Sequence, residues 1–268
     1  MTSRQNTQNT QGAQVAKTQR PKARVWPLLL LALVGFGLLF WLFAQDAWWE
    51  AVLRRMFPQQ RSVLFERTSL LALSLEHLRI VASALGIIIA LALPLGIVLT
   101  RPSGRAFLPL AQGLLSVGQT FPPIAVLALA LPFFGFGLRP TLIALVAYGL
   151  LPLTRNTIAG LEAVPASLKE AASGMGMGSW RMLWRLELPL ASRVILAGLR
   201  TSTIYTIGTA TVAPIIGAGG LGVPIIAGLA VRNLAFVLQG AVPVALIALG
   251  ADFILERLEE VLTPKGLR

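Results

Sequence analysis

Long apolar stretches with almost no charge dominate this sequence. A transmembrane helix needs about 20 consecutive, mostly apolar residues. Six stretches reach or approach that length: Val25–Ala44, Ile80–Thr100, Ala106–Gly135, Thr141–Leu153, Val194–Ile216 and Leu234–Leu255. The third is interrupted by Pro122 and Pro123, and the fourth can be extended past Arg155 to about Leu161. The pattern predicts an all-α polytopic membrane protein with about six transmembrane helices.

The composition supports a membrane protein and excludes most catalytic classes. Charged residues make up 13% of the 268-residue chain, about half of the roughly 25% that soluble domains carry. Without cysteine there is no disulfide, Cys-ligated zinc, iron–sulfur cluster or thiol nucleophile. A single histidine, His77, gives no basis for a His-based metal site or a Ser/His/Asp triad. We therefore expect no metal, no cofactor and no enzyme active site.

The net charge of +12 reflects membrane topology in this chain. Lys and Arg concentrate in the cytoplasmic loops of membrane proteins. Most Lys and Arg residues fall on one side of the six-span arrangement when the N-terminus is cytoplasmic. We therefore expect a multi-pass protein of the cytoplasmic (inner) membrane, in contact with lipid, with both termini in the cytoplasm. Nucleic-acid binding is not expected, because no separate basic domain is present to provide it.

The N-terminal quarter precedes the main group of spans. Residues 1–24 are polar, lack hydrophobic periodicity and are expected to form a disordered cytoplasmic tail. The run 25–44 is also typical of a signal peptide, but it is longer than the usual apolar region of roughly 7–15 residues and lacks a good cleavage site. We favour a retained extra N-terminal transmembrane helix. The predicted organisation continues with an outer amphipathic loop (45–76), a core (77–261) and a cytoplasmic tail (262–268).

Between spans four and five lies a cytoplasmic segment, residues 162–190, with two short helices expected. Ser167 and Glu170 form an S-x-x-E pattern, which predicts a capping box at the start of the first helix. Glycines at 174, 176 and 178 should break that helix. Ser179 is expected to cap a second helix, Trp180–Leu188, that Pro189 ends. Read by itself, this pattern is equally typical of an interfacial amphipathic linker.

The spacing in this segment carries a specific resemblance. Glu170-Ala171-Ala172 is followed by three residues, Gly176, nine residues, and Leu186-Glu187-Leu188-Pro189. This arrangement resembles the EAA motif of ABC importer permeases, with Leu186 where isoleucine is usual. The resemblance implies a type I importer core of five helices, preceded here by the extra helix. It also implies that the segment docks in a groove of the ATPase subunit through Glu170, Ala171, Ala172, Gly176, Leu186 and Pro189.

Further motifs narrow the resemblance to one branch of these permeases. They are Gln119–Pro123, Gly198–Tyr205, Ile207–Thr211, Ile216–Gly222 and 262–267. Together they resemble osmoprotectant permeases that import glycine betaine, carnitine or choline, over residues 70–268, whereas residues 1–69 depart from that pattern. The resemblance implies two ATPase subunits, a separate substrate-binding protein, and a second permease that is either an identical or a related copy. The sequence lacks the G-x-x-x-x-G-K-[ST] loop, so ATP hydrolysis is expected in a partner chain.

Polar and helix-breaking residues at membrane depth suggest a translocation path. The candidates are Gln119, Thr120, Phe121, Pro122, Thr203, Tyr205 and Thr209. Such residues usually face a bundle interior or a cavity, although hydrogen bonds between helices explain them equally well. The aromatic rings of Phe121 and Tyr205 offer a π face to a quaternary ammonium. Pairing of Arg200 with Asp252, near the end of span six, is a further hypothesis.

A glycine-rich run follows span five on the outer side. Gly217, Gly219 and Gly222 fit G-x-G-x-x-G, but a dinucleotide site needs a strand before the glycines and a helix after them. We interpret Gly217, Gly219, Gly220 and Gly222 instead as a tight outer turn. The resemblance places that turn near the outer gate, beneath the binding protein.

Three other functions stay open from the sequence. The first is an ABC permease for another small solute, such as ergothioneine. The second is an ion-coupled secondary transporter, which usually needs an intramembrane acid; between residues 78 and 251 the acids are Glu162, Glu170 and Glu187, all in the cytoplasmic segment. The third is a membrane scaffold without transport activity.

Overall fold

The computed structural model describes residues 25–262, apart from the side chains of Val25, Trp26, Gly118 and Gln119. The predicted tails therefore lie outside the described residues, except for Leu262. All regular structure within 25–262 is helical. The main helices are α1 (Val25–Phe43), α2 (Asp46–Met56), α3 (Leu70–Leu99), α4 (Leu108–Thr120), α5 (Pro123–Phe134), α6 (Leu138–Glu162), α7 (Ala166–Gly174), α8 (Ser179–Met182), α9 (Leu188–Thr209), α10 (Gly222–Val231) and α11 (Leu234–Leu262).

Three described helices are by themselves long and apolar enough to cross a membrane, namely α3, α6 and α11. Helices α1 and α2 meet the same criterion as a pair, bent by 75° at a short break. The third predicted span is divided between α4 and α5, because Phe121 and Pro122 adopt extended backbone conformations. The fifth becomes α9 followed by a 3₁₀ turn, Ala210–Ile216. The all-helical membrane architecture is confirmed, with spans that are more often broken than expected.

Helix α3 begins ten residues before the apolar stretch predicted from the sequence. Ser69 caps it, with its side-chain oxygen accepting a hydrogen bond from the Ala72 amide at 3.3 Å. Charges at Glu76 and Arg79 interrupt the apolar run without interrupting the helix, because backbone hydrogen bonding continues through them. The first turns of α3 thus belong to the range 45–76 that was expected to be loop.

Helix α6 occupies the centre of the bundle. It packs along α3 on one side and α9 on the other, while α4 and α5 contact it at the periphery. Close approach depends on small residues: a Cβ on Gly96 would lie 2.6 Å from Thr157 Cγ2, and a Cβ on Gly198 would overlap the Asn156 side chain. Helix α11 packs against α9, α10 and α1.

The segment between α1 and α3 is anchored to the main bundle. In α2, Trp49 and Leu53 are buried one turn apart, and the Trp49 indole donates to the Leu42 carbonyl at 3.2 Å. Beyond α2, the Phe65 amide donates to Gln239 Oε1 at 2.7 Å, and Asn233 Nδ2 donates to the Ser62 carbonyl at 2.8 Å. Both partners lie at the start of α11, so residues 45–69 cover that end of the bundle.

Helix α10 is an element that the sequence reading missed. Its ten residues are apolar throughout, so the sequence did not distinguish a separate helix from the residues that lead into span six. The break after Val231 comes at Arg232, whose φ of 53° places it in the left-handed region. The chain then reverses into α11, against which α10 packs.

Candidate coupling site and translocation path

The interval from Ala172 to Gly176 in the motif coincides with the C-terminal end of helix α7. Helix α7 ends at Gly174, and Gly176 adopts a φ of 79°, which favours glycine. The Gly176 amide donates to the Ser173 carbonyl at 2.9 Å, and the Met177 amide donates to the Ala172 carbonyl at 3.0 Å. This pair of bonds defines a Schellman motif, which terminates a helix at a glycine. The three-residue gap in the motif therefore places Gly176 where the left-handed conformation is needed.

The predicted capping box at the start of α7 is wrong. Pro165, with φ −56° and ψ 134°, occupies the N-cap position, and its side chain cannot accept a hydrogen bond. The fixed φ of proline suits entry into a helix, so α7 begins at Ala166, ahead of Ser167. Ser167 is therefore an exposed residue of the first turn.

The second predicted helix also differs, because Pro189 does not end it. Helix α8 begins at Ser179 without a side-chain cap, continues through a π turn at Leu183–Glu187 and runs directly into α9. The Leu188 amide bonds to the Leu183 carbonyl, five residues back. Proline in a regular α-helix clashes with the carbonyl four residues earlier, and the wider π turn just before Pro189 relieves that conflict. The helical backbone is therefore continuous from Ser179 to Thr209.

Glu187, the variable position within Leu186–Pro189, is a residue whose importance the sequence reading missed. Its side chain is 3% exposed and accepts a hydrogen bond from Arg101 Nη2, while Lys169 Nζ lies 3.5 Å from its other oxygen. Lys169 also donates to the Leu161 carbonyl at 3.2 Å. One buried carboxylate thus joins the connector after α3, helix α7 and the base of α9. The signal available in the sequence was a single acidic residue, Glu187, between two leucines.

The face of α7–α8 that points away from the bundle is exposed and carries several large apolar side chains. Within the EAA pattern, Glu170 and Ala171 are exposed, whereas Ala172 is 3% exposed and fixes α7 to the bundle. Large apolar side chains surround them, with Met175 78%, Trp180 72% and Trp184 55% exposed. Leu186 and Pro189 are only half-buried, at the base of α9. Exposed apolar side chains around small residues form a surface suited to contact with another protein.

The candidate path residues separate into two environments. Thr203 is 6% exposed and faces the interior of the bundle, and its hydroxyl donates to the Leu199 carbonyl of its own helix at 2.8 Å. Tyr205 is 53% exposed on the opposite face of α9, which also presents Thr201, Ile204 and Gly208. At the break between α4 and α5, Thr120, Phe121 and Pro122 are exposed. Thr209 is half-buried, and the side chain of Gln119 lies outside the described residues.

Glu76 binds the glycine-rich turn at the other end of the bundle. Its carboxylate accepts a hydrogen bond from the Gly220 amide at 2.8 Å, and Gly220 has a φ of 83°. A Cβ on Gly222 would overlap the Thr211 carbonyl, so this position requires glycine for close backbone approach. The neighbouring His77 is buried, with Nε2 3.1 Å from the Ile207 carbonyl oxygen. The turn is thereby held against both α3 and the end of α9.

Arg200 pairs with Asp252, as the sequence suggested. The guanidinium Nη2 donates to Asp252 Oδ2 at 2.7 Å, and Nε also contacts Oδ1. Glu256 lies 3.9 Å away, one turn along α11. These contacts fix α9 to α11 with the charges neutralised.

The bent, broken helices and the exposed α7–α8 surface define a membrane component of a transport system. The family model described as "Binding-protein-dependent transport system inner membrane component" matches residues 92–265, and the chain belongs to this family. The fold resembles a chain of the MetNI methionine ABC transporter in an inward-facing conformation, with a TM-score of 0.63 and 20% identity. That match covers 70% of this chain and 94% of the other.

Among curated proteins, the chain is similar to osmoprotectant permeases. It is 44% identical to the carnitine transport permease protein OpuCB of Listeria monocytogenes, over 75% of this chain and 91% of the relative. It is 44% identical to the glycine betaine/carnitine/choline transport system permease protein OpuCB of Bacillus subtilis, over 72% and 88%. It is 37% identical to the osmoprotectant import permease protein OsmY of Salmonella typhimurium, over 88% and 98%.

These matches confirm the resemblance to ABC permeases of the osmoprotectant branch and correct its extent. Residues 1–69, expected to depart from the relatives, make up about a quarter of the chain, yet the match to OsmY leaves only about 12% uncovered. Part of the N-terminal region therefore has a counterpart in a relative.

Proposed function

We propose that the chain is the permease subunit of an ATP-driven importer for a small quaternary-ammonium osmoprotectant such as glycine betaine, carnitine or choline. The observation that carries this proposal is similarity over nearly the whole length of relatives named for these compounds. The permease provides the passage and a partner chain hydrolyses ATP. Two ATPase subunits, a substrate-binding protein and a second permease copy, identical or related, complete the proposed complex.

The α7–α8 surface is the proposed docking site for the ATPase. Glu170 and Ala171 project from a helix whose end is fixed by the Schellman motif at Gly176. Short side chains let such a helix enter a groove, and Glu170 can pair with a basic residue there. The exposed tryptophans at 180 and 184, whose rings lie 5.7 Å apart edge to face, extend the contact area.

Glu187 connects that docking site to the passage. The carboxylate holds Lys169 of α7 against the start of α9, and α9 carries Tyr205 on its exposed face farther along. When the ATPase subunits close, displacement of α7 is transmitted through Glu187 to α9. Rigid-body rotation of packed helices of this kind alternates access between two sides of a membrane.

In the proposed orientation both termini are cytoplasmic in the inner membrane. Segment 162–190 then faces the ATPase, and the glycine-rich turn held by Glu76 lies at the outer gate beneath the binding protein. A permease of the family needs its partners on opposite sides of the membrane, and these two surfaces lie at opposite ends of α9.

Reconstituted transport tests the function directly. The permease, its ATPase and its binding protein are assembled in liposomes. Uptake of labelled glycine betaine, carnitine and choline, and of ergothioneine for comparison, is measured with and without ATP. We expect ATP-dependent uptake of at least one compound that survives an uncoupler. If ergothioneine is the only compound taken up, the osmoprotectant assignment is wrong and the chain is a permease for a different small solute. Uptake driven by an ion gradient would refute the ATP-driven assignment. A complete lack of transport would favour a scaffold.

A further inference from the structure

Arg155 lies inside α6 and Arg200 lies inside α9, and the environments of these two arginines differ. Arg200 is neutralised by Asp252 and Glu256, as described above. Arg155 lies seven residues before the end of α6, about 10 Å along the helix axis from Glu162. In the described part of the chain its recorded polar contact is a hydrogen bond from Nη2 to Ser116 Oγ at 2.8 Å, and no carboxylate lies within 4 Å. Arg155 is therefore a charged group within a membrane-spanning helix that has no counter-ion among residues 25–262.

The surroundings of Arg155 indicate water rather than lipid. The side chain is exposed on the surface of this chain, and a charged side chain at membrane depth faces protein or a water-filled cavity because hydrocarbon cannot solvate it. Gln112, Ser116 and Thr120 form a polar stripe along α4 at intervals of four residues. Arg155 sits against the middle of that stripe.

The stripe ends at an aromatic ring. Phe121 follows Thr120 at the break between α4 and α5 and is 46% exposed. Five residues separate it from Ser116, which is about 7.5 Å of helical rise. Phe121 lies outside α4 in an extended conformation, so its ring is near the end of the polar stripe and not on the same helix face. Arg155 by itself suits the anionic end of a betaine, since a guanidinium binds a carboxylate in bidentate fashion.

We propose that Arg155 binds the carboxylate of a zwitterionic substrate during passage and thereby favours glycine betaine and carnitine over choline, which has no carboxylate. This assignment rests on the proposed function and specifies its substrate class. Choline brings a positive charge toward Arg155 with no anion to offset it, so its passage gains nothing from the guanidinium.

The test compares substrates in the reconstituted complex. Arg155→Gln and Arg155→Lys are assayed beside Arg139→Gln, which removes an exposed arginine near the opposite end of α6. The binding protein is the same in every sample, so the variant-to-unmodified ratio for each substrate isolates the permease. We expect R155Q to lower glycine betaine uptake about tenfold while choline uptake changes less than twofold. R155K should retain more betaine uptake than R155Q, and R139Q should match the unmodified protein.

Equal loss of betaine and choline uptake in R155Q would refute the proposal and assign Arg155 a structural anion, from a second copy or a lipid headgroup. Unchanged uptake of both, or an unmodified complex that imports only choline, would refute it as well. If the complex imports only zwitterions, glycine betaine methyl ester is used instead of choline as the compound that lacks a carboxylate. Its effect is measured as inhibition of glycine betaine uptake. A complex that transports none of these compounds refutes the proposed function instead.

Discussion

Gly176 shows how one residue can set the end of α7, the helix proposed to dock with the ATPase. Its φ of 79° closes the Schellman motif of α7, and a side chain there strains the backbone by about 1–2 kcal/mol. Gly178 has open space around it and a φ outside the left-handed region. The two glycines are two residues apart, but only Gly176 adopts the left-handed conformation that favours glycine.

We expect Gly176→Ala to reduce ATP-dependent uptake severalfold by fraying the end of α7, whereas Gly178→Ala leaves it near the unmodified rate. Uptake by the reconstituted complex, normalised to permease content, measures the difference. Equal activity of the two variants would show that the left-handed conformation at Gly176 is unimportant for coupling.

Glu187 offers a second prediction at this scale. Glu187→Ala leaves Arg101 and Lys169 beside an empty buried site, and removal of one partner from a buried ion pair is strongly destabilising. Because the two cations are partly exposed, we expect a loss of roughly 2–3 kcal/mol, seen as a lower thermal unfolding midpoint in detergent.

Glu162→Ala is the matched control for that measurement. Its carboxylate is 44% exposed and lies 3.9 Å from Arg105, so a change below about 1 kcal/mol is expected. A Glu187 variant as stable as the Glu162 variant would contradict the anchoring role of the buried carboxylate.

Among the elements, α6 and α9 share the most extensive contact between two helices of the described residues. Gly198 faces Asn156, and an added Cβ would overlap that side chain. Overpacking of a tight contact costs typically 1–3 kcal/mol.

We therefore expect Gly198→Ala to destabilise the bundle, while Gly208→Ala, on the exposed face of the same helix with nothing within 4 Å, has little effect or raises stability through helix propensity. Thermal unfolding in one detergent compares the two variants. A Gly208 variant that is the less stable of the pair would show that the α6–α9 interface does not limit stability.

Sequence reasoning predicted the elements where apolar length or proline decides structure. The sequence predicted the break at Phe121–Pro122 because the break depends on proline. It also predicted the extension of span four past Arg155, because apolar residues continue beyond that position. The capping box failed because Pro165 takes the N-cap ahead of Ser167. The π turn and α10 were missed, since they depend on packing against neighbours. Glu187 was overlooked because its partners, Arg101 and Lys169, come together only in the folded chain.

At the scale of the whole molecule, the exposed surface at the α7–α8 end is the proposed docking site for the ATPase. We expect Ala171→Arg to reduce co-purification of the ATPase at least fivefold, because a long charged side chain prevents entry of α7 into a groove. Ala51→Arg, at an exposed alanine of α2, should leave co-purification unchanged. Both variants should reach the membrane in equal amounts. Retention of the ATPase by the Ala171 variant would place the docking site elsewhere.

The uninterrupted helical run from Ser179 to Thr209 has a consequence for leakage. At 1.5 Å per residue it is about 46 Å long, more than the roughly 30 Å of a hydrocarbon core. One continuous helical body therefore reaches from Trp180 to the 3₁₀ segment that precedes the glycine-rich turn, so its two ends tilt together. In the proposed mechanism, a movement that widens the passage at one end therefore narrows it at the other. We expect the membrane to stay sealed to ions through the cycle without a separate plug.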